Sequence, residues 1–171
     1  MIYSFFIQSL AVVAVILFIL SFHAKSRKNI LLLQLLGIII WASHFYLLSA
    51  WTGAILITLN GLITILFLFK TKNNQLKNPF ILYMGLFILL VFTIITWAGF
   101  YSLFSLFAVS LIVIARWQNS PRRIRLISFP ASIFWIIYDC FVHAYGSIIA
   151  EVLILISITL SFFWNSSKSS K

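Results

Sequence analysis

The sequence predicts an all-α polytopic membrane protein, with seven transmembrane helices arranged as two parallel three-helix repeats joined by a linker helix. Three observations carry this. Of 171 residues, 63% are hydrophobic and only 8% are charged, with a mean hydropathy of +1.14, whereas a typical soluble domain is roughly 25% charged. No soluble core of this size hides so much apolar surface. The apolar residues fall into runs near the roughly 20 residues that a helix needs to cross a 30 Å hydrocarbon layer. The basic residues fall only in alternate gaps between those runs.

The runs are 4–22, 30–48, 53–69, 79–97, 100–116, 124–142 and 147–164. The first lacks a basic leading segment and a small-residue cleavage site, so it reads as a retained helix and not a signal peptide. Between the third and fourth, Asn78 is placed to cap a helix that has Pro79 at its first position. The stretch from Pro79 to Arg116 is too long for one crossing, and Trp97-Ala98-Gly99 divides it, with Gly99 as the turn point. The tail, 165–171, is polar, rich in Ser and Lys, and expected to be disordered.

Twelve Lys and Arg stand against two acids, a formal charge of +10. Their placement points to a membrane surface and away from nucleic acid. Lys25, Arg27 and Lys28 follow the first run; Lys70, Lys72 and Lys77 follow the third; Arg116, Arg122, Arg123 and Arg125 follow the fifth; Lys168 and Lys171 lie in the tail. Seven crossings put all of these on one side, and cytoplasmic loops are the ones that carry excess Lys and Arg. The predicted topology is thus multi-pass, with the N-terminus outside and the C-terminus inside. Trp51, Trp97, Tyr101 and Tyr145 fall near the outer boundary, as an aromatic belt would.

Two stretches of the chain match at a shift of 94. Lys28 falls on Arg122, Gln34 on Ser128, Gly37 on Ala131, Trp41 on Trp135 and His44 on Tyr138. With a one-residue deletion the shift becomes 93, bringing Gly53 onto Gly146, Ala54 onto Ser147 and Thr58 onto Glu151. The chain then divides into a first repeat (1–69), a basic loop and linker helix (70–99), a second repeat (100–164) and the tail (165–171). An odd linker helix makes both repeats enter the membrane in the same direction, as in transporters built from parallel repeats.

The string Ser21 to Lys28, the run Trp41-Ala-Ser-His-Phe-Tyr-Leu-Leu-Ser-Ala-Trp-Thr-Gly-Ala, and Phe134-Trp-Ile-Ile-Tyr-Asp followed by Gly146-Ser-Ile and Glu151 resemble the bacterial inner-membrane YgjV family over nearly the whole chain except the tail. That resemblance implies an inner-membrane protein and no particular activity. The 3+1+3 plan also looks like that of the SWEET and PQ-loop group. This chain departs from that group, having no Pro-Gln pair at the end of its first or fifth helix. Only Pro130 matches a bundle proline, and its counterpart is Leu36. Sugar transport therefore does not carry over.

Asp139 and Glu151 are the only acids, and both fall within predicted spans. Each is six residues from Tyr145, so both sit roughly 9 Å from that turn. Ionisable groups within a membrane usually face a cavity or a partner. They are read either as a proton or cation site on a transport path or as acids bonded near the headgroups, with Asp139 nearer a helix end and closer to water. In the sixth helix, Ser128, Ala131, Ser132, Trp135 and Asp139 share one side; Gln34, Gly37, Ile38, Trp41 and Phe45, with His44 beside them, are the counterparts in the second. Tyr138 is the counterpart of His44. Ser147, Glu151 and Ile154 in the seventh helix, and Ala54, Thr58 and Gly61 with Asn60 adjacent in the third, add further small and polar positions. These faces either line a path or are helix-packing seams, which favour the same residues. Trp41 and Trp135 are the best cavity candidates, since each lies well inside its helix. His44 reads as a proton relay or as a satisfied buried histidine.

Catalytic residues, a metal site and a cofactor are not expected. Cys140 is alone, the three histidines are scattered, and no phosphate loop or Ser-His-Asp arrangement occurs. The chain therefore reads as a non-enzyme whose surroundings are the lipid bilayer and an unknown small-molecule substrate, with homo-oligomerisation left open. Its leading function is a transporter or facilitator of a small polar metabolite, by alternating access between two three-helix bundles. The candidate lining is Trp41, His44, Asn60, Trp135, Tyr138, Asp139 and Glu151. The alternative is a non-transport membrane protein that assists a partner complex or binds lipid.

Overall fold

A computed structural model of the protein describes residues 2–70 and 78–166, with side chains over 9–70 and 78–161. Lys72, Lys77, Lys168 and Lys171, and the tail expected to be disordered, lie outside the described side chains. The described chain is all helical: α1 (Ile2–His23), α2 (Arg27–Leu47), α3 (Trp51–Phe69), α4 (Pro79–Ile95), α5 (Ser102–Trp117), α6 (Pro121–Phe141) and α7 (Tyr145–Ser166). Three of these, α2, α3 and α6, are long and apolar enough to cross a membrane; the described apolar stretches of the other four are shorter.

Local chemistry sets the ends. Ser26 accepts a hydrogen bond from the Asn29 N–H at 3.2 Å and starts α2 three residues before the apolar run does. Asn78 caps α4 through the Phe80 N–H at 2.9 Å, with Pro79 in the first turn as expected. Pro121 likewise opens α6 three residues early. Gly99 has a φ of +143°, a conformation that L side chains rarely adopt, and it makes the turn between α4 and α5.

Six helices form a closed ring in the order α1, α2, α3, α5, α6, α7, with α7 returning to α1; α4 lies outside, packed on α3 and α5. Neighbours joined by a short loop run antiparallel. The two remaining seams, α3 with α5 and α7 with α1, are parallel. At one end of the bundle, Arg27 donates to the carbonyls of Phe67, Arg116 and Gln118, so α3 and α5 finish side by side there. Arg125 at the start of α6 reaches the Ala24 carbonyl beyond α1 at 3.1 Å. We call this the basic end. Close helix contact needs small residues: a Cβ on Gly37 would come within 2.6 Å of the Phe18 ring.

The two tight turns at the opposite end are built alike. Among the described residues, Ser49 and His143 are the non-glycine residues with positive φ, 57° and 54°, and they are 94 positions apart. Ala50 N–H bonds the Phe45 carbonyl as Ala144 N–H bonds that of Asp139, each at 3.0 Å. The starts of α2 and α6, and of α3 and α7, keep the same spacing. The one-residue deletion expected from the sequence is therefore corrected. The landmarks run through at 94, which pairs Gly53 with Ser147 and Ile57 with Glu151.

One further expectation is corrected. Thr58 is exposed on the outside of the ring, its hydroxyl bonded to the Ala54 carbonyl, because the inward positions of α3 are Asn60 and Ile57. Of the aromatic residues grouped near one boundary, Trp51, Trp97 and Tyr145 are exposed, and Tyr101 is half-buried and stacked on Phe141 at 5.6 Å.

Candidate functional site

The ring encloses a cavity of about 30 Å³, enough for one or two waters. One wall comes from α1–α3: Phe18, Phe22, Ile38, Trp41, Phe45, Ile57 and Asn60. The other comes from α5–α7: Ile112, Arg116, Ser128, Ser132, Trp135, Ser147, Glu151 and Ile154. The first wall is apolar apart from Asn60. The second carries a guanidinium, a carboxyl and three hydroxyls.

Of the residues singled out in the sequence, Trp41, Asn60, Trp135 and Glu151 meet at this cavity, whereas His44, Tyr138 and Asp139 are buried but do not line it. Toward the end opposite the basic one, Phe45 is stacked between the two indoles, at 5.9 Å from Trp41 and 5.5 Å from Trp135. This column spans the ring from α2 to α6. Tyr138 meets both Phe45 and Trp135 edge-on, and its hydroxyl accepts the Gly53 N–H at 3.0 Å. That N–H is in the first turn of α3 and has no partner within its own helix.

Asp139 is fully buried, not water-reached near the helix end as expected. The tight turn folds α7 back over it, and the Ser147 hydroxyl donates to its Oδ2. Its Oδ1 has no hydrogen-bond partner. Glu151 lies one turn further along α7, within hydrogen-bonding reach of the Ser132 hydroxyl on α6.

The sequence reading placed Arg116 among the loop charges, and the structure corrects this. It is 1% exposed, near the end of α5, and it enters the ring. Its Nε donates to Gln34 Oε1 at 2.8 Å; its Nη1 donates to Asn60 Oδ1 at 2.7 Å and to Thr64 Oγ1 at 3.1 Å. All three acceptors are neutral. Among the described residues no carboxylate lies at ion-pair distance from it. The signal was present in the sequence: Arg116 follows Ala108 and Ile112 at four-residue intervals, on the inward stripe of α5.

At the basic end, Arg27, Arg125 and Lys70 hold helix C-termini. Lys70 donates to the Trp117 carbonyl at 2.7 Å and lies 3.4 Å from the centroid of the Trp117 ring. Burial, and then repulsion from Arg27, push its ammonium down to about 8. Cations at helix C-termini meet the negative end of the helix dipole, so these residues close this end of the bundle.

The chain matches one known family over nearly its whole length. The bacterial inner membrane protein family Imp-YgjV matches residues 5–168. The chain belongs to that family. The resemblance drawn from the Trp41 and Phe134 runs is thereby borne out, and as an Imp-YgjV protein the chain is placed in a bacterial inner membrane. No curated protein and no solved structure matches it. What an Imp-YgjV protein does must be read from its site.

Proposed function

We propose that this protein is a non-enzymatic carrier or facilitator for a small polar solute, working by alternating access between α1–α3 and α5–α7. The observation that carries this reading is the cavity itself, whose opposed walls use equivalent positions. Phe22 and Arg116, Ile38 and Ser132, Trp41 and Trp135, and Ile57 and Glu151 all line it, each pair 94 apart. The eight buried residues of α2, Ile30 to Phe45, likewise fall on the eight buried residues of α6, Ile124 to Asp139, at that same spacing. Exchanging α1 with α5, α2 with α6 and α3 with α7 also exchanges the two parallel seams. These features support two units related by rotation about an axis along the membrane normal, with α4 as linker and the site on that axis. Parallel-repeat transporters place their sites there.

In this reading seven helices cross the membrane with the basic end in the cytoplasm. The Trp41–Phe45–Trp135 column closes the outer side, while Arg27 and Lys70 bind the inner ends of α3 and α5 together. Rocking one unit against the other along the seams opens each side in turn. The apolar wall and the polar wall suit a solute with both characters. A partner-assisting or lipid-binding role has no comparable support, because neither needs polar groups facing an internal cavity.

Topology is tested by cysteine labelling. With Cys140 replaced by Ser, single cysteines at Ser49, Ala98 and His143 are expected to react with an impermeant maleimide from the periplasm. Labelling of any of the three only from the cytoplasm contradicts the seven-span arrangement. Coupling is tested at Glu151. Glu151→Gln keeps size and hydrogen bonding to Ser132 and removes the ionisable proton. Melting should be unchanged, while solute flux into proteoliposomes loses its pH dependence. Unaltered flux across pH removes Glu151 from any coupling role.

A further inference from the structure

We infer that the cavity binds the carboxylate group of a small organic acid, seated on Arg116. The inference deepens the carrier reading and rests on it for the movement of the solute, though not for its binding.

A guanidinium is always charged in practice and presents five donors. Burying one without a counter-charge is costly. Here three donor contacts are met by amide and hydroxyl oxygens, which satisfy hydrogen bonds and leave the charge uncompensated. Those contacts also fix the plane of the group. Arg116 itself lines the cavity. Beside it, Gln34 is committed through Oε1 to Arg116, and its Nε2 is buried with no partner. The cluster thus has a cation without a counter-charge and, in Gln34 Nε2, one unmet donor, with no unmet acceptor. That polarity selects an anion.

A planar oxyanion suits a planar fork, so carboxylate is favoured over a halide. The opposite wall selects what is attached to it. Phe22 and Ile38, with the Trp41 ring above, offer apolar contact; as it stands the cavity has room for only one or two waters, so its walls must part to admit even an acid of two or three carbons, which keeps the tail short. A phospholipid headgroup does not qualify, since Arg116 is enclosed on all sides by the ring. Glu151 shares the cavity without sharing any hydrogen bond of Arg116. It enters the bundle about 9 Å from the opposite end, whereas Arg116 is about 21 Å down α5 from that end, so the two leave room between them.

The test uses the full-length protein in nanodiscs. Trp41 and Trp135 line the cavity and report occupancy by intrinsic fluorescence. Acetate and pyruvate, titrated at constant ionic strength, should give a saturable change, while acetamide, the neutral counterpart of acetate, should give none. Arg116→Gln should weaken pyruvate binding about tenfold or more, and Arg116→Lys should recover part of it, as expected when a charged donor is removed or replaced. If Arg116→Gln does not fold, Ser128→Ala and the comparison of acetate with acetamide on the unaltered protein still decide. Ser128→Ala should weaken pyruvate less than tenfold. Equal responses to acetate and acetamide, or unchanged binding in a folded Arg116→Gln variant, overturn the carboxylate site. Pyruvate flux is then followed in proteoliposomes at pH 7. Saturable binding without flux keeps the site and removes the carrier reading. Flux of an uncharged solute with no carboxylate binding keeps the carrier and removes the site.

Discussion

Tyr138→Ala should destabilise the purified protein by about 3–5 kcal/mol, the range for removing a large buried aromatic side chain. The ring is 1% exposed and meets Phe45, Trp135 and Tyr101, and such pairs each add about 0.5–1.5 kcal/mol beyond burial. Its hydroxyl has a separate task, since it accepts the Gly53 N–H across the ring. Tyr138→Phe keeps the packing and strands that donor, so a cost of about 1–3 kcal/mol is expected. Unfolding in mixed micelles against added denaturing detergent measures both. If Tyr138→Phe is as stable as the parent protein, the contact between α6 and the first turn of α3 contributes nothing.

Arg27→Ala should cost about 2–3 kcal/mol in the same assay, from loss of charge-assisted bonds to the ends of two helices. Its Nε reaches Gln118, and one Nη2 reaches both Phe67 and Arg116, at 2.9–3.0 Å. Arg27→Lys should regain less than half of that, because a single ammonium cannot reproduce the fork. Arg123→Ala is the control. Arg123 is exposed, and exposed substitutions of this kind usually stay within about 0.5 kcal/mol. Equal effects at Arg27 and Arg123 reduce both to loop charges.

The contrast between these two arginines shows how far the sequence could be read. Hydropathy and turn chemistry marked seven helices, the division at Gly99 and the cap at Asn78-Pro79, because those depend on residues close together in the chain. Trp41 and Trp135 were recognisable as interior because each sits near the middle of a helix whose neighbours agree. Glu151 and Asn60 stood out as polar groups in apolar runs. Arg116 was hidden by its position. A cation near the end of a run looks like a flanking charge, and only the packing of α2 and α3 against α5 brings Gln34, Asn60 and Thr64 around it. Asp139 was misread for the same reason, since a residue in the last turn of a helix is near water unless the next helix folds back over it. The ring order depends on contacts between α1 and α7, far apart in sequence, and periodicity within one helix carries no information about that.

The parallel seams limit how this chain can be rearranged. α1 and α7 are neighbours, yet α1 begins at the end opposite the basic one and α7 finishes at the basic end. A circular permutant opened between α3 and α4 cannot join those two points with a short peptide, however flexible. The new connection has to travel the full length of the bundle, as α4 already does between α3 and α5. A tandem fusion of two copies faces the same geometry, so an engineered version of either kind needs an eighth helix, inserted for its length and direction alone.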